Sequence, residues 1–555
     1  MDRSFDVATR RDQALRKARK HLVPMLATLA TLAALGACGG GSGSSGSSTG
    51  SNPGGGTSTG PTPSWGGFGR DAQHSDLMPS VANGGVAAQN LNHLIWETPV
   101  DTAVTSYNGN QIPIHYGSPI ITSANTVIVP VKTSTTGSFV LQAQSAMTGT
   151  AIWTQPSDYV MPPQSQPTDW IPSFGPTLAA GKTVYMPGAG GKVIAISNPD
   201  ARSVSPQNLV FYGSANYGAA PTQFNSTVYI NTPITSDTNG NIFFGFVVTG
   251  SNPAGLVSGV ARIDASGNGT WVAANAAVSL SSAVKPAMNA APALSNDGAT
   301  VYVSVVTQPS SGNGTGYLVA LDSTSLATKS SVALMDPYAG TPAQVSDFSS
   351  ASPVIGPDGD VYYGVLETTL GTHNYRGWLL HFNATLSSTK TPGSFGWDNT
   401  PSIVPATLVT SYHGMSTYLL LTKYNNYAGA GTGDGHNKMA ILDPNATETD
   451  PIVSATVMNE VMTVLGPTAD TAAVSSFPGA VKEWCVNSSA VDTNTHSALM
   501  NSEDGFLYRW DLNSGTLSQK IWLDNGYGQA YTPTAIGPDG TVYAINNANL
   551  IAVTN

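Results

Sequence analysis

The stretch Ser352-Pro-Val-Ile-Gly-Pro-Asp-Gly-Asp-Val-Tyr-Tyr363 decides the fold. A proline-led β-branched run meets an Asp-Gly turn, and a second β-branched and aromatic run follows. Asp-Gly between two such runs is a strong hairpin signal, because glycine supplies the positive φ of a tight antiparallel turn. The pattern recurs along the chain. Other leading segments are Gly117-Ser-Pro-Ile-Ile-Thr122, Phe174-Gly-Pro-Thr-Leu178, Ala291-Pro-Ala-Leu294, Thr400-Pro-Ser-Ile403 and Thr532-Pro-Thr-Ala-Ile536. Second strands follow at Thr126–Val129, Thr183–Met186, Thr300–Val303 and Thr541–Ala544, after turns such as Asn296-Asp-Gly298 and Pro538-Asp-Gly540. Third strands read Ser138–Ala143, Lys192–Ile196, Gly259–Asp264, Tyr317–Asp322, Trp378–Phe382, Lys438–Asp443 and Phe506–Asp511. Copies spaced by about 50–65 residues are what four-stranded propeller blades require.

These units predict an all-β chain: an eight-bladed β-propeller of four-stranded antiparallel blades. The irregular stretches 201–224 and 444–480 leave seven blades as the alternative. Thr532–Thr554 supply only about three strands, and Leu94-Ile-Trp-Glu97 is an apolar strand with no unit of its own. The N-terminal strand is therefore expected to close the last blade and remove its exposed edge.

Composition agrees. The chain has 555 residues, a length that usually means several domains, but radial repeats enlarge one domain by adding blades. Charged residues make up 10%, while Gly (59) and Pro (37) are frequent, which suits short strands and tight turns. The formal charge is −11; residues 1–37 hold seven basic and three acidic side chains, so without that net +4 the remainder carries −15. A field of that sign repels phosphate backbones and argues against nucleic acid as a partner. The two cysteines, Cys38 and Cys485, do not make a disulfide framework, and Cys485 reads as a small buried hydrophobe.

The N-terminus reads as an address. A basic region over residues 3–20 precedes Leu22–Ala37, sixteen mostly apolar residues, the length of a signal-peptide core. Leu35-Gly36-Ala37-Cys38 resembles the lipobox of bacterial lipoproteins. The resemblance implies a signal peptide over 1–37 and a diacylglycerol on Cys38; an ordinary signal peptide with an incidental Cys38 is the other reading. Residues 38–63 form a Gly/Ser-rich tether spanning roughly 25–30 Å. Gly39 after the lipid site, with no retention Asp, implies sorting to the outer membrane, facing the periplasm. The globular part is expected over 64–555.

Ala143-Gln-Ser-Ala-Met-Thr-Gly-Thr-Ala-Ile-Trp153 resembles the docking motif of pyrroloquinoline-quinone (PQQ) dehydrogenase-like propellers, the quinoprotein alcohol dehydrogenase-like repeats, with Ser145 in place of the usual Asp. In that family Thr-Gly makes the turn and the Trp packs between blades. Asp264-Ala-Ser-Gly267 with Trp271, and Trp510–Gly515, are weaker echoes. Trp65–Ser75 looks like the lead-in to the first blade of such proteins. The resemblance covers roughly residues 65–555. It implies, for PQQ-dependent alcohol dehydrogenases, an adjacent Cys-Cys pair, a calcium-ligating set and a catalytic Asp. This chain has no Cys-Cys and shows no matching cluster, so no PQQ, calcium or other metal site is expected.

No hydrolase elbow, metalloprotease motif or phosphate loop is present. His373, His381, His413 and His436 read as loop histidines, and Asp237-Thr-Asn-Gly240 as a hairpin turn rather than a calcium loop. No catalytic residues are assigned. Blade geometry puts the leading segments and the loops between second and third strands on one face, around the axis. Candidate ligand-binding residues there are Tyr116, Trp170, Asn289, Asp347, Asp398, Asn399, Lys423, Tyr424, Glu483 and Tyr531. The expected function is a non-catalytic, lipid-anchored binding or scaffold module of the bacterial cell envelope. It would act as a monomer held to the membrane by its N-terminal lipid, with an envelope protein or a glycan as partner. It resembles, in architecture only, the propeller lipoprotein of the outer-membrane protein assembly machinery. A PQQ-dependent dehydrogenase-like enzyme with an altered site and a polysaccharide-binding protein are the alternatives.

Overall fold

The computed structural model describes residues 63–79, 86–104, 106–107, 110–111, 116–135, 137–163, 174–307, 313–347, 349–524 and 533–555. The leader, Cys38 and the tether lie outside them. Among the described residues no helix is long and apolar enough to cross a membrane. Among the described residues eight sheets of three or more strands form the blades. Blade 1 comprises Ile120–Ile121, Thr126–Lys132, Phe139–Ser145 and Ala151–Ser157, paired antiparallel in that order. Blades 2 and 6 repeat this plan, starting at Thr177 and Ser402; blade 7, starting at Ala490, adds Leu77–Met78 parallel to its innermost strand. In blades 3 and 4 the innermost strand is split in two (Val228–Ile230 with Thr235–Ser236; Lys285–Pro286 with Ala293–Leu294). Blade 5 has three regular strands, and its fourth is reduced to bridges at Thr389 and Gly393.

Blade 8 has Ala535–Ile536, Val542–Asn546 and Asn549–Thr554 from the C-terminus, and its outer strand is His93–Pro99. The N-terminal strand thus closes the last blade, and the count is eight. Trp96 seals the junction with blade 1. Its indole N–H donates to the Ala146 carbonyl (2.6 Å), and its ring covers Gly149, where a Cβ would lie 2.8 Å away. The docking motif acts as the resemblance implies. Gly149 turns at φ +66°, and the buried Trp153 donates to the Pro199 carbonyl of blade 2 (2.8 Å).

The supposed lead-in does more than precede blade 1. Residues 65–76 run around the inner strands, bonding to one equivalent backbone position in six blades. The N–H groups of Ile121, Leu178, Leu294, Ile355, Ile403 and Val491 donate to the carbonyls of Trp65, Gly66, Ala72, Gln73, Ser75 and Asp76, at 2.7–3.0 Å. Each of the first five donors stands two residues after the proline of its leading segment. Trp65, His74 and Asp76 are fully buried, so at this level the axis is packed.

Above this ring, neighbouring leading segments bond to one another at five junctions. Ile234 N–H donates to Gly175, Asn289 to Asn231, Ala291 to Ser352 Oγ, Ser352 to Thr400 Oγ1 and Thr400 to Asn487, at 2.9–3.1 Å. Gly117 has no room for a side chain here, since a Cβ would lie 2.1 Å from the Phe174 carbonyl. Small and hydroxylated residues line the axis because the backbones themselves approach closely.

Candidate binding site on the loop face

Most of the sequence-derived candidates lie beneath the surface, engaged with a neighbouring blade. Tyr116 donates to Asp101 (3.4 Å), which holds the buried Lys132 ammonium at 3.1 and 3.2 Å. Asp347 accepts from the Lys285 ammonium and from the Met288 N–H. Asn289 is buried, its N–H in the inter-blade belt. Glu483 is half-buried, its backbone paired with that of Glu503. Trp170 and Tyr531 lie outside the described residues.

The structure brings four candidates together at the junction of blades 5 and 6. Strand Tyr418–Tyr424 ends in Lys423 and Tyr424, and the leading segment of blade 6 carries Asp398 and Asn399. Lys423 donates to the Asp398 carbonyl (2.9 Å) and stands 4.0 Å from its carboxylate. That carboxylate accepts from the N–H (2.9 Å) and hydroxyl (2.8 Å) of Ser350. Asn399 donates to Thr422 (2.8 Å) and accepts from the Lys423 N–H (3.2 Å).

Sequence reasoning missed the centre of this cluster, Arg376. Its guanidinium carbon sits 4.1 Å from the centre of the Tyr424 ring and 5.9 Å from that of Phe395. Lys423 Nζ lies 5.8 Å from the same Phe395 ring. Tyr427, Tyr375 and Trp397 pack in the same apolar cluster. Burial pushes the Tyr424 phenol above its ordinary range, against the pull of Arg376. One signal was available in the sequence. In a chain with so few charges, Arg376 stands two residues before a wholly buried strand, Trp378–Phe382.

Beside it lies a serine, histidine and aspartate with the composition of a hydrolase site but other wiring. His373 Nε2 faces both Asp450 (3.1 Å) and Ser394 (3.3 Å), Ser394 donates directly to Asp450, and His373 Nδ1 meets the Gly377 carbonyl (3.0 Å). In a catalytic triad the two imidazole nitrogens are divided between acid and serine. Here the serine proton goes to the carboxylate, and all three groups are buried. His373 also stacks on Trp378, with ring centres 3.9 Å apart.

Burial alone would raise the Asp450 carboxyl, but bonds from His373, Ser394 and the Val453 N–H hold it well below the usual range. The folded carboxyl therefore ionises more readily than the unfolded one. The stability it contributes is present above about pH 4 and drains away as pH falls further. Asp450→Asn is expected to cost about 3 kcal/mol at pH 7 and to flatten the acid limb of stability. Urea midpoints at pH 7 and pH 3 check this; equal losses for variant and wild type on acidification would contradict it.

The quinone cofactor and calcium ion implied by the family resemblance do not fit these residues. The one thiol among the described residues, Cys485, is buried and cannot form a vicinal disulfide ring. Asp347 and Asp398 are already engaged by Lys285 and by Ser350 with Lys423. Among the described residues no three His, Cys, Asp or Glu side chains come together as a metal site.

The sheets define an eight-bladed β-propeller. Among solved structures, the chain is similar to a europium-containing methanol dehydrogenase, at 10% identity and TM-score 0.51, over 89% of each chain. It is also similar to the quinohemoprotein alcohol dehydrogenase of Comamonas testosteroni (14% identity, 87% of this chain and 76% of that one, TM-score 0.46). A third similar structure is BamB of Moraxella catarrhalis (10% identity, 83% of this chain and 100% of that one, TM-score 0.40). At these identities the likeness is one of fold. No protein-family model matches the chain, and no curated protein matches it.

Proposed function

We propose that this protein is a non-catalytic binding module of the bacterial envelope, anchored through a lipid on Cys38. Its ligand or partner meets the loop face of the propeller at blades 5 and 6. The observation that carries the reading is the cluster of Arg376, Lys423, Phe395, Tyr424 and Asn399. It gathers cationic, aromatic and amide groups in one buried cluster, while the adjoining Ser394, His373 and Asp450 lack the wiring of a catalytic triad. Such a mixture suits recognition.

The test is chemical cross-linking in intact cells, followed by mass spectrometry of the material that copurifies with the full chain. An envelope partner is expected, lost when residues 426–434 are replaced by a Gly/Ser loop. Cys38→Ala is expected to move the protein from membrane to soluble fractions. Dye-linked dehydrogenase activity on adding PQQ and calcium would overturn the reading.

A further inference from the structure

Arg376 is 4% exposed. Among the described residues no hydrogen bond or ion pair reaches its guanidinium, and Nε and Nη2 are sealed from solvent. Arginine cannot escape burial by losing its proton, and a buried charge without donors matched to acceptors is costly. The two orphan nitrogens share one edge of the guanidinium. Their N–H bonds run parallel, as the fork that fits both oxygens of one carboxylate. The faces of the group are turned to Tyr424 and Phe395; among the described residues the edge has no acceptor.

The neighbouring acids are committed elsewhere. Glu367 accepts the N–H groups of Gly371, Tyr375 and Gly377 at 2.8–3.0 Å. Asp398 serves Ser350 and Lys423, and Asp450 serves His373 and Ser394. The chain beside the arginine is strained. Asn374 and Tyr375 both sit at φ +58°, in the left-handed region. Such strain persists where the surroundings impose it, and it gathers at ligand clamps. The loop bearing them is latched to the loop between Tyr424 and Lys438. Asn374 accepts from the Thr432 N–H (2.8 Å) and donates to Asn426 (2.9 Å).

We propose that the Nε–Nη2 edge of Arg376 is the anchor for a ligand carboxylate, reached when these two loops part. Tyr427 and Trp397 flank the anchor and take the apolar remainder of the ligand. A monoanion suits the place, because Glu367, Asp398 and Asp450 would repel a second negative charge. The proposal rests on the reading of this face as the binding surface and names the chemistry it selects. The carboxylate belongs either to a free organic acid or to the end of a peptide chain.

Calorimetry and thermal-shift measurements on the full chain decide it. The probes are benzoate against benzamide, and Gly-Gly-Phe with a free against an amidated C-terminus. A saturable rise in Tm with either acid, and none with its amide, is expected. Benzoate alone would assign free acids, and the peptide alone chain ends. Arg376→Met removes an unpaired buried charge, so its Tm without ligand is expected to be unchanged or higher while the acid response disappears. Arg376→Lys keeps charge without the fork and is expected to weaken binding about tenfold; it decides the matter if the methionine variant does not fold. No response to either acid, equal response to acid and amide, or a response surviving in Arg376→Met would overturn the proposal. Benzoate binding with no envelope partner recovered would sink the scaffold reading and leave the carboxylate anchor standing. A partner with no acid response would do the reverse.

Discussion

Deleting residues 64–79, with the closing strand His93–Pro99 left in place, is expected to abolish the cooperative unfolding of the propeller. The segment supplies carbonyl acceptors to six equivalent inner-strand amides. Each net backbone bond contributes about 1 kcal/mol, and an orphaned buried N–H costs more than the bond it lost. Trp65 is 0% exposed, and removing such a side chain from a core costs about 3–5 kcal/mol. The sum is on the order of the whole stability of a domain. Urea unfolding followed by tryptophan fluorescence checks it: the deleted form should show a shallow, low-midpoint transition, and Trp65→Ala alone a loss of about 3 kcal/mol or more. A deletion variant as stable as the parent would remove the ring from the account. His74 adds a pH signature. Burial lowers it to about 4, although the Pro353 carbonyl (2.7 Å) pulls the other way. The unfolded histidine takes up its proton first, so this part of the stability drains as pH falls from about 6.5 toward 4.

The second large effect is expected at the closure. Lys132 and Asp101 are 1% and 0% exposed in their side chains. The pair links the segment following the closing strand to the end of the second strand of blade 1, and Tyr116 adds a hydrogen bond to the same carboxylate. Asp101→Ala leaves a buried ammonium whose remaining acceptor among the described residues is the backbone carbonyl of Ala103, and should cost about 3–5 kcal/mol. Replacing both partners, as Asp101→Leu with Lys132→Met, should recover most of that, because two desolvated charges then disappear together. Urea midpoints of the three variants against wild type measure it. A double variant no better than Asp101→Ala would show that packing, not charge, sets the cost.

What was legible in the sequence was local. Asp-Gly at 297–298, 358–359 and 539–540 marks its hairpins because the demand for positive φ belongs to the turn alone. Leu94–Glu97 could be assigned to the last blade because an unpaired apolar strand needs an edge. The stretch 444–480 read as irregular, yet its first part continues Lys438–Thr449 and returns as Thr456–Leu465. Its polar outer residues hid a long hairpin. The inner strand of blade 3 was invisible because Asn231-Thr-Pro233 splits it. The ring left no signal, since its bonds are made by backbone atoms that any residue carries. Blade topology fixes which residues face the axis, but not whether the adjoining blade has already satisfied them. Asp347 and Asp398 are held that way by Lys285 and Ser350. Arg376 escaped notice because what marks it is a missing acceptor, and no sequence pattern records that.

The threaded, closed propeller underlies every assignment on the loop face, and hydrogen exchange of the full chain tests it most directly. Peptides covering Trp65–Met78 and the amides of Ile121, Leu178, Leu294, Ile355, Ile403 and Val491 should exchange together, on the slow timescale of global unfolding. Exchange of the 65–78 segment within seconds, while the blades stay protected, would contradict the account.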